Sequence, residues 1–198
     1  MKRLPILLAA SLAASLASAA PRADVGQVVA AERAFARAAQ THGANAAFLQ
    51  YSAPDALVFQ PRPKPARAAL EANPLPPIPL KWWPAYAGIA ASGDLGFTTG
   101  PYVVGAGDRL GHGWYFTIWK RQPDGSWRWI IDHGPPTREA APEGTGAQVA
   151  ALPHGRRSPR AKAFEDVRSA EARLAAALAE DARSALPLFL AADGRLMR

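Results

Sequence analysis

The chain of 198 residues contains no cysteine. That absence removes disulfide scaffolds, thiol catalysis, thiolate zinc sites and iron–sulfur clusters together. Charge of one sign is also scarce. The formal net charge of +7 falls to +5 without Lys2 and Arg3, and it is spread as +3 over residues 20–134 and +2 over residues 135–198. Neither part carries the basic footprint that neutralising many phosphates requires, so no nucleic-acid partner is expected. The one basic cluster, Arg156, Arg157, Arg160 and Lys162, lies in a Pro/Ser/Gly setting that reads as a solvated linker. The histidines show no H-x-H or H-x₃-H spacing, so neither a metal nor a cofactor is expected. The N-terminal apolar run, residues 4–16, is shorter than the ~20 residues a membrane span needs. It follows Lys2 and Arg3 and precedes Ala17-Ser18-Ala19, a small-x-small pattern. Together these predict a signal peptide over residues 1–19, a periplasmic or secreted protein, and no stable membrane anchor after cleavage.

What is present reads as a globular α+β domain. Hydrophobic residues make up 49% and charged residues 20%, while 19 prolines and 16 glycines favour turns and short strands over a helical bundle. Asp24 is a plausible N-cap for a helix to about Gln40, with Val28, Phe35 and Ala39 on one stripe and Arg33 and Arg37 opposite. Gly43 suits its stop, and residues 44–51 make a second short helix ending before Pro54. A strand over 56–60 and a short helix over 66–72 follow, then a proline-rich loop over 74–79. Residues 81–90, 96–104, 111–122 and 127–133 are aromatic and β-branched runs separated by turn residues, Pro123-Asp124-Gly125 being the clearest hairpin. Helices first and a strand meander afterwards imply a curved antiparallel sheet wrapped over helices.

Residues 20–134 are expected to form this domain and residues 135–160 a linker, with a helical extension over 161–198. Laid over residues 31–59 at an offset of 139, residues 170–198 match Glu171 to Glu32, Leu188 to Leu49 and Leu196 to Leu57. Two readings stand: the start of a second copy of the domain, truncated relative to a two-domain relative, or an unrelated helical tail.

Four stretches carry a family likeness. They are Ala31-Glu32-Arg33-Ala34-Phe35, Ala46-Ala47-Phe48-Leu49, Ser92-Gly93-Asp94-Leu95-Gly96-Phe97-Thr98-Thr99-Gly100, and Trp119-Lys120-Arg121-Gln122-Pro123-Asp124-Gly125-Ser126-Trp127. Taken in order over roughly residues 24–134, they resemble the nuclear-transport-factor-2-like superfamily, specifically its secreted SnoaL-like bacterial branch. The resemblance implies a cone of curved sheet closed by helices, with a pocket inside. Members include ketosteroid isomerase, polyketide cyclases, dehydratases and non-enzymatic binding or assembly modules, so fold alone selects no activity.

The aromatic residues concentrate in the predicted sheet. Core packing accounts for most of them, while a pocket that grips a small apolar or aromatic molecule would draw on Trp83, Tyr86, Tyr102, Trp114, Phe116 and Trp129. A regular last hairpin puts Phe116 opposite His133, Thr117 opposite Asp132, Ile118 opposite Ile131, Trp119 opposite Ile130 and Arg121 opposite Arg128. An Arg–Arg pair belongs outside, which selects Trp114, Phe116, Ile118, Trp129, Ile131 and His133 as the inward face. Asp132 and His133 are the candidate general bases, although Asp132 holding a loop amide and His133 capping the sheet are equally compatible with the pattern. Isomerase-type chemistry would need a tyrosine facing the base, with Tyr86, Tyr102 and Tyr115 as options. Three functions result: an exported small-molecule-binding domain, a lyase or isomerase of the ketosteroid isomerase or polyketide cyclase type, and a homodimeric assembly module.

Overall fold

A computed structural model describes residues 24–59, 62–138, 146–152, 155, 158–192 and 194. The expected leader, Arg156, Arg157 and Leu196 lie outside these residues. The Asp24 side chain caps helix α1 (Val25–His42), accepting from the Gly26 N–H at 2.9 Å. Val28, Glu32, Phe35 and Ala39, three or four residues apart, form its buried face. Gly43, at φ 89°, turns the chain into α2 (Ala44–Tyr51). Strand β1 (Ser52–Phe59) follows directly, then β2 (Pro63–Pro65) and α3 (Ala66–Ala72). β1 begins earlier than the sequence suggested because Pro54 falls where its pairing with β7 shifts register, a place where a missing N–H is tolerated.

The expected strand over 81–90 is two strands, β3 (Leu80–Trp82) and β4 (Tyr86–Ile89). Both pair with β5 (Leu95–Ala106), and Pro84, which has no N–H to donate, sits in the break. The chain crosses β5 so closely there that a Cβ on Gly100 would lie 2.0 Å from the Trp83 carbonyl oxygen, so the position admits only glycine. β6 (Arg109–Arg121) and β7 (Trp127–His133) complete the meander. Among the described residues the sheet runs β2-β1-β7-β6-β5-β4-β9, with β3 on β5 and β8 on β6. Here β8 is Pro136–Thr137 and β9 is Ala150–Ala151, so part of the expected linker is woven into the sheet. Arg33 adds a tie by donating to the Gly146 carbonyl, and to that of Ala147 at 3.3 Å. The β1–β7 and β4–β9 pairings are parallel and the others antiparallel.

The hairpin register settles which face is inside. Phe116, Thr117 and Ile118 face His133, Asp132 and Ile131 as expected, but a bulge follows, and Trp119 pairs with Trp129, Lys120 with Arg128 and Arg121 with Trp127. The Arg–Arg pair that chose the faces therefore does not exist. Tyr115, Thr117 and Trp119 are buried, while Trp114, Phe116 and Ile118 alternate onto the other face, and His133 is exposed. The expected inward face is thus overturned. Trp129 is inside, as expected, yet only because the extra residue of the bulge rotates it there. The core lies between this concave face and α1–α2. There Phe35 packs edge-on against Phe48 and Trp82, each at 4.8 Å between ring centroids.

Helix α4 (Arg160–Phe189) is broken at Asp181, whose φ of −157° and ψ of 106° are extended. Its carboxylate accepts from the Arg183 N–H at 3.0 Å and the Ser184 hydroxyl at 2.7 Å, restarting the helix as an N-cap. At the offset of 139, Asp181 falls on His42, beside the Gly43 break between α1 and α2.

Candidate small-molecule site

Two carboxylates stand inside the cone, Glu32 fully buried and Asp132 half-buried, and they differ in how well they are matched. Glu32, fully buried on α1, accepts from Trp82 Nε1 at 2.6 Å, from Trp119 Nε1 at 3.1 Å and from the Thr98 hydroxyl. Burial pushes its carboxyl above the ordinary value, and these donors oppose the shift. Two indole donors and a threonine reaching one acidic side chain form a satisfied polar knot in an aromatic core. Sequence reasoning used Glu32 only as a family landmark and missed this role. The signal was available: an acid four residues after Val28 and three before Phe35 lies in the middle of an apolar stripe.

Asp132 is the other carboxylate. Its Cα pairs with Thr117 on β6, and the Thr117 hydroxyl donates to Asp132 Oδ2 at 2.7 Å. No other side-chain hydrogen bond reaches it among the described residues. Burial, with the Glu32 charge adding to it and the Thr117 bond opposing it, pushes the Asp132 carboxyl up to about 7. It forms part of the wall of a cavity of about 290 Å³ between the helix pair and the concave sheet. Phe35 and Phe48 come from α1 and α2, Leu80 and Trp82 from β3, Tyr102 and Val104 from β5, and Tyr115 from β6, with Gly134 beyond β7. Tyr102 lies across Gly113, where a Cβ would come within 2.3 Å of its ring, and its hydroxyl donates to the Gly134 carbonyl at 3.1 Å. The Thr98 hydroxyl approaches the buried Tyr115 hydroxyl without completing a well-formed hydrogen bond. Burial first, and then the charges of Glu32 and Asp132, hold its proton on well above the usual phenol range.

The sequence-derived candidates divide accordingly. Tyr102 and Asp132 line the cavity. Trp129 lies in the core against Phe48 (6.0 Å between centroids), its indole N–H without a partner among the described residues, and it does not line the cavity. Tyr86 and Phe116 are on the convex face, where Tyr86 meets Phe97 at 6.1 Å and Phe97 stacks on Phe116 at 5.5 Å. Trp114 alternates onto that same face, and Trp83 packs near Gly146. His133 also faces away from Asp132, with its ring 5.6 Å from Phe59. The structure therefore separates the two candidate bases. Among the described residues there is no group of three His, Asp or Glu placed to hold a metal, and no helix long and apolar enough to cross a membrane.

A helix pair, a strand, a short helix and then a meander whose last strand returns parallel to the first make a cone, with its pocket under the helices. This is the nuclear-transport-factor-2-like fold. No family model matches the sequence, and no curated protein matches it either. Solved structures of nuclear-transport-factor-2-like proteins are similar to it in shape at low identity. A candidate ketosteroid isomerase from Parabacteroides distasonis is 16% identical over 56% of this chain and 86% of that chain, with a TM-score of 0.46. A nuclear-transport-factor-2-like protein of unknown function from Shewanella oneidensis is 13% identical over 55% of this chain and 96% of its own, at 0.44. The CaMKII hub of S. rosetta is 14% identical over 59% and 99%, at 0.45. Fold alone selects no activity, so the function of this chain must be argued from its own pocket.

Proposed function

We propose that the chain binds one small, mostly apolar molecule in the cavity over Asp132. The observation that carries this reading is a carboxylate with a single protein hydrogen bond set in a wall otherwise made of rings and aliphatic side chains. A half-buried acid in so apolar a wall, left so poorly matched, is costly unless a ligand completes it. At about 290 Å³ the cavity is near the lower end of the ~300–1000 Å³ usual for ligand sites, so the occupant is small. Native mass spectrometry of the mature protein from its own host is the test. Wild type should carry an extra mass of a small molecule, and Val104→Trp, which fills the cavity, should lose it while keeping the same fold by circular dichroism. A bare mass for both proteins would sink the reading.

The same carboxylate favours a second reading, catalysis. An Asp whose carboxyl is pushed up to about 7, sharing its cavity with a tyrosine hydroxyl that makes no well-formed hydrogen bond among the described residues, is suited to removing a proton from a bound carbon acid and returning it elsewhere, the chemistry of an isomerase or lyase. If so, Asp132→Asn should abolish exchange of ligand protons with deuterated solvent while leaving the ligand bound. Retained exchange would reject Asp132 as the base. The proposal also includes export and membership of the SnoaL-like branch, supported by the leader pattern of residues 1–19 and the four family-like stretches.

A further inference from the structure

The cavity has a one-sided electrostatic character. Among the described residues Asp132 is its only charged wall residue, and no described Lys, Arg or His lines it. The titratable groups that reach Asp132 are Glu32 from α1 and Tyr115 from β6, and neither brings positive charge. Glu32 is already satisfied by Trp82, Trp119 and Thr98, so its donors are not free to serve Asp132. Around the carboxylate stand the rings of Phe35, Phe48, Trp82, Tyr102 and Tyr115. An aromatic face carries negative potential, and a ring of such faces around an anion attracts a cation with an apolar skin.

We propose that the occupant is a small organic cation, an alkylated ammonium whose charge pairs with Asp132 and whose carbons bed on the rings. This rests on the binding reading above and names its ligand class. A neutral ligand could donate a hydrogen bond to the carboxylate but would leave its charge unpaired. An anion would meet the Asp132 carboxylate in the wall, with the Glu32 charge behind it. A quaternary ammonium supplies the missing charge without needing a hydrogen-bond acceptor. The ionised form of Asp132 is the one that binds it, so affinity should climb as pH rises through about 7 and level off above.

The test uses choline and its uncharged carbon isostere, neohexyl alcohol, titrated into the full-length protein and followed by ligand-observed NMR and calorimetry. Choline should bind at least tenfold more tightly than the alcohol at pH 8, a preference that Asp132→Asn should abolish. Equal binding of the two probes, or a preference untouched by Asp132→Asn, would overturn the cation assignment and leave the pocket reading standing. Failure of both probes to bind wild type, with no displacement of any bound molecule, would overturn the cation and the pocket together.

Discussion

Replacing Glu32 by alanine should leave the molecule largely unfolded at room temperature. The change orphans two buried indole N–H groups and the Thr98 hydroxyl, each costing about 1–3 kcal/mol. It also opens a void on the buried face of α1. The three donors together sum to roughly 3–9 kcal/mol before the void is added, which overlaps the whole stability of an ordinary domain, about 5–15 kcal/mol. Urea titration followed by near-ultraviolet circular dichroism reads it directly. Glu32→Gln keeps an acceptor for the indoles and should fall between wild type and alanine, so the alanine result remains interpretable even if that variant never folds. A loss below about 1 kcal/mol for Glu32→Ala would show that the three donors do not depend on the carboxylate.

Asp132→Asn should act in the opposite direction and stabilise the empty protein at neutral pH. The sign follows from linkage. The unfolded chain releases the Asp132 proton near 3.8, whereas the folded chain holds it until about 7. Between those values the folded state binds more protons, so stability is highest at low pH and is lost as pH rises through the window. At about 1.4 kcal/mol per unit of pKa difference, the loss from this group is on the order of 4 kcal/mol by pH 8. Asparagine does not ionise and keeps an acceptor for Thr117, so the variant should gain most of that at pH 8 and little at pH 4. Thermal melts at the two pH values measure it. Equal shifts at both would mean that the Asp132 carboxyl titrates normally. A residue that weakens its own domain when empty is what a binding or catalytic role would explain.

Much of the frame was legible from pattern alone. α2 and α3 follow the helical readings to the residue, since Gly43, Pro54 and Pro65 punctuate them sharply. The strands of the meander came from runs of aromatic and β-branched residues. The losses were local and physical. Pro84 split one expected strand because a missing donor outweighed the β-rich residues around it. The bulge after Ile118 was invisible to period-two counting, and one extra residue was enough to turn the chosen face of β6 inside out. Asp132 was visible as a candidate because few acids lie in the sheet, but its partners Thr117 and Tyr115 emerge only from the corrected register. Trp114 and Phe116 looked like pocket residues because bulk was visible in the sequence and direction was not.

The parallel pairing of β1 with β7 also governs the order in which the molecule can assemble. Leu57 meets Ile131 and Val58 meets Asp132, so the first strand finds its neighbour only after the whole meander exists. β5, β6 and β7 can zip up as hairpins from contacts close in sequence, whereas closing the long loop to β1 carries an entropy penalty before any contact rewards it. On a ribosome, α1 and α2 emerge first and wait with Val28, Phe35 and Ala39 uncovered. Glu32 waits with them, hydrated and ionised, until Trp82 and Trp119 arrive from two different strands. The helix pair can therefore lock onto the sheet only late in folding. Until then its apolar stripe is open to any other surface that fits.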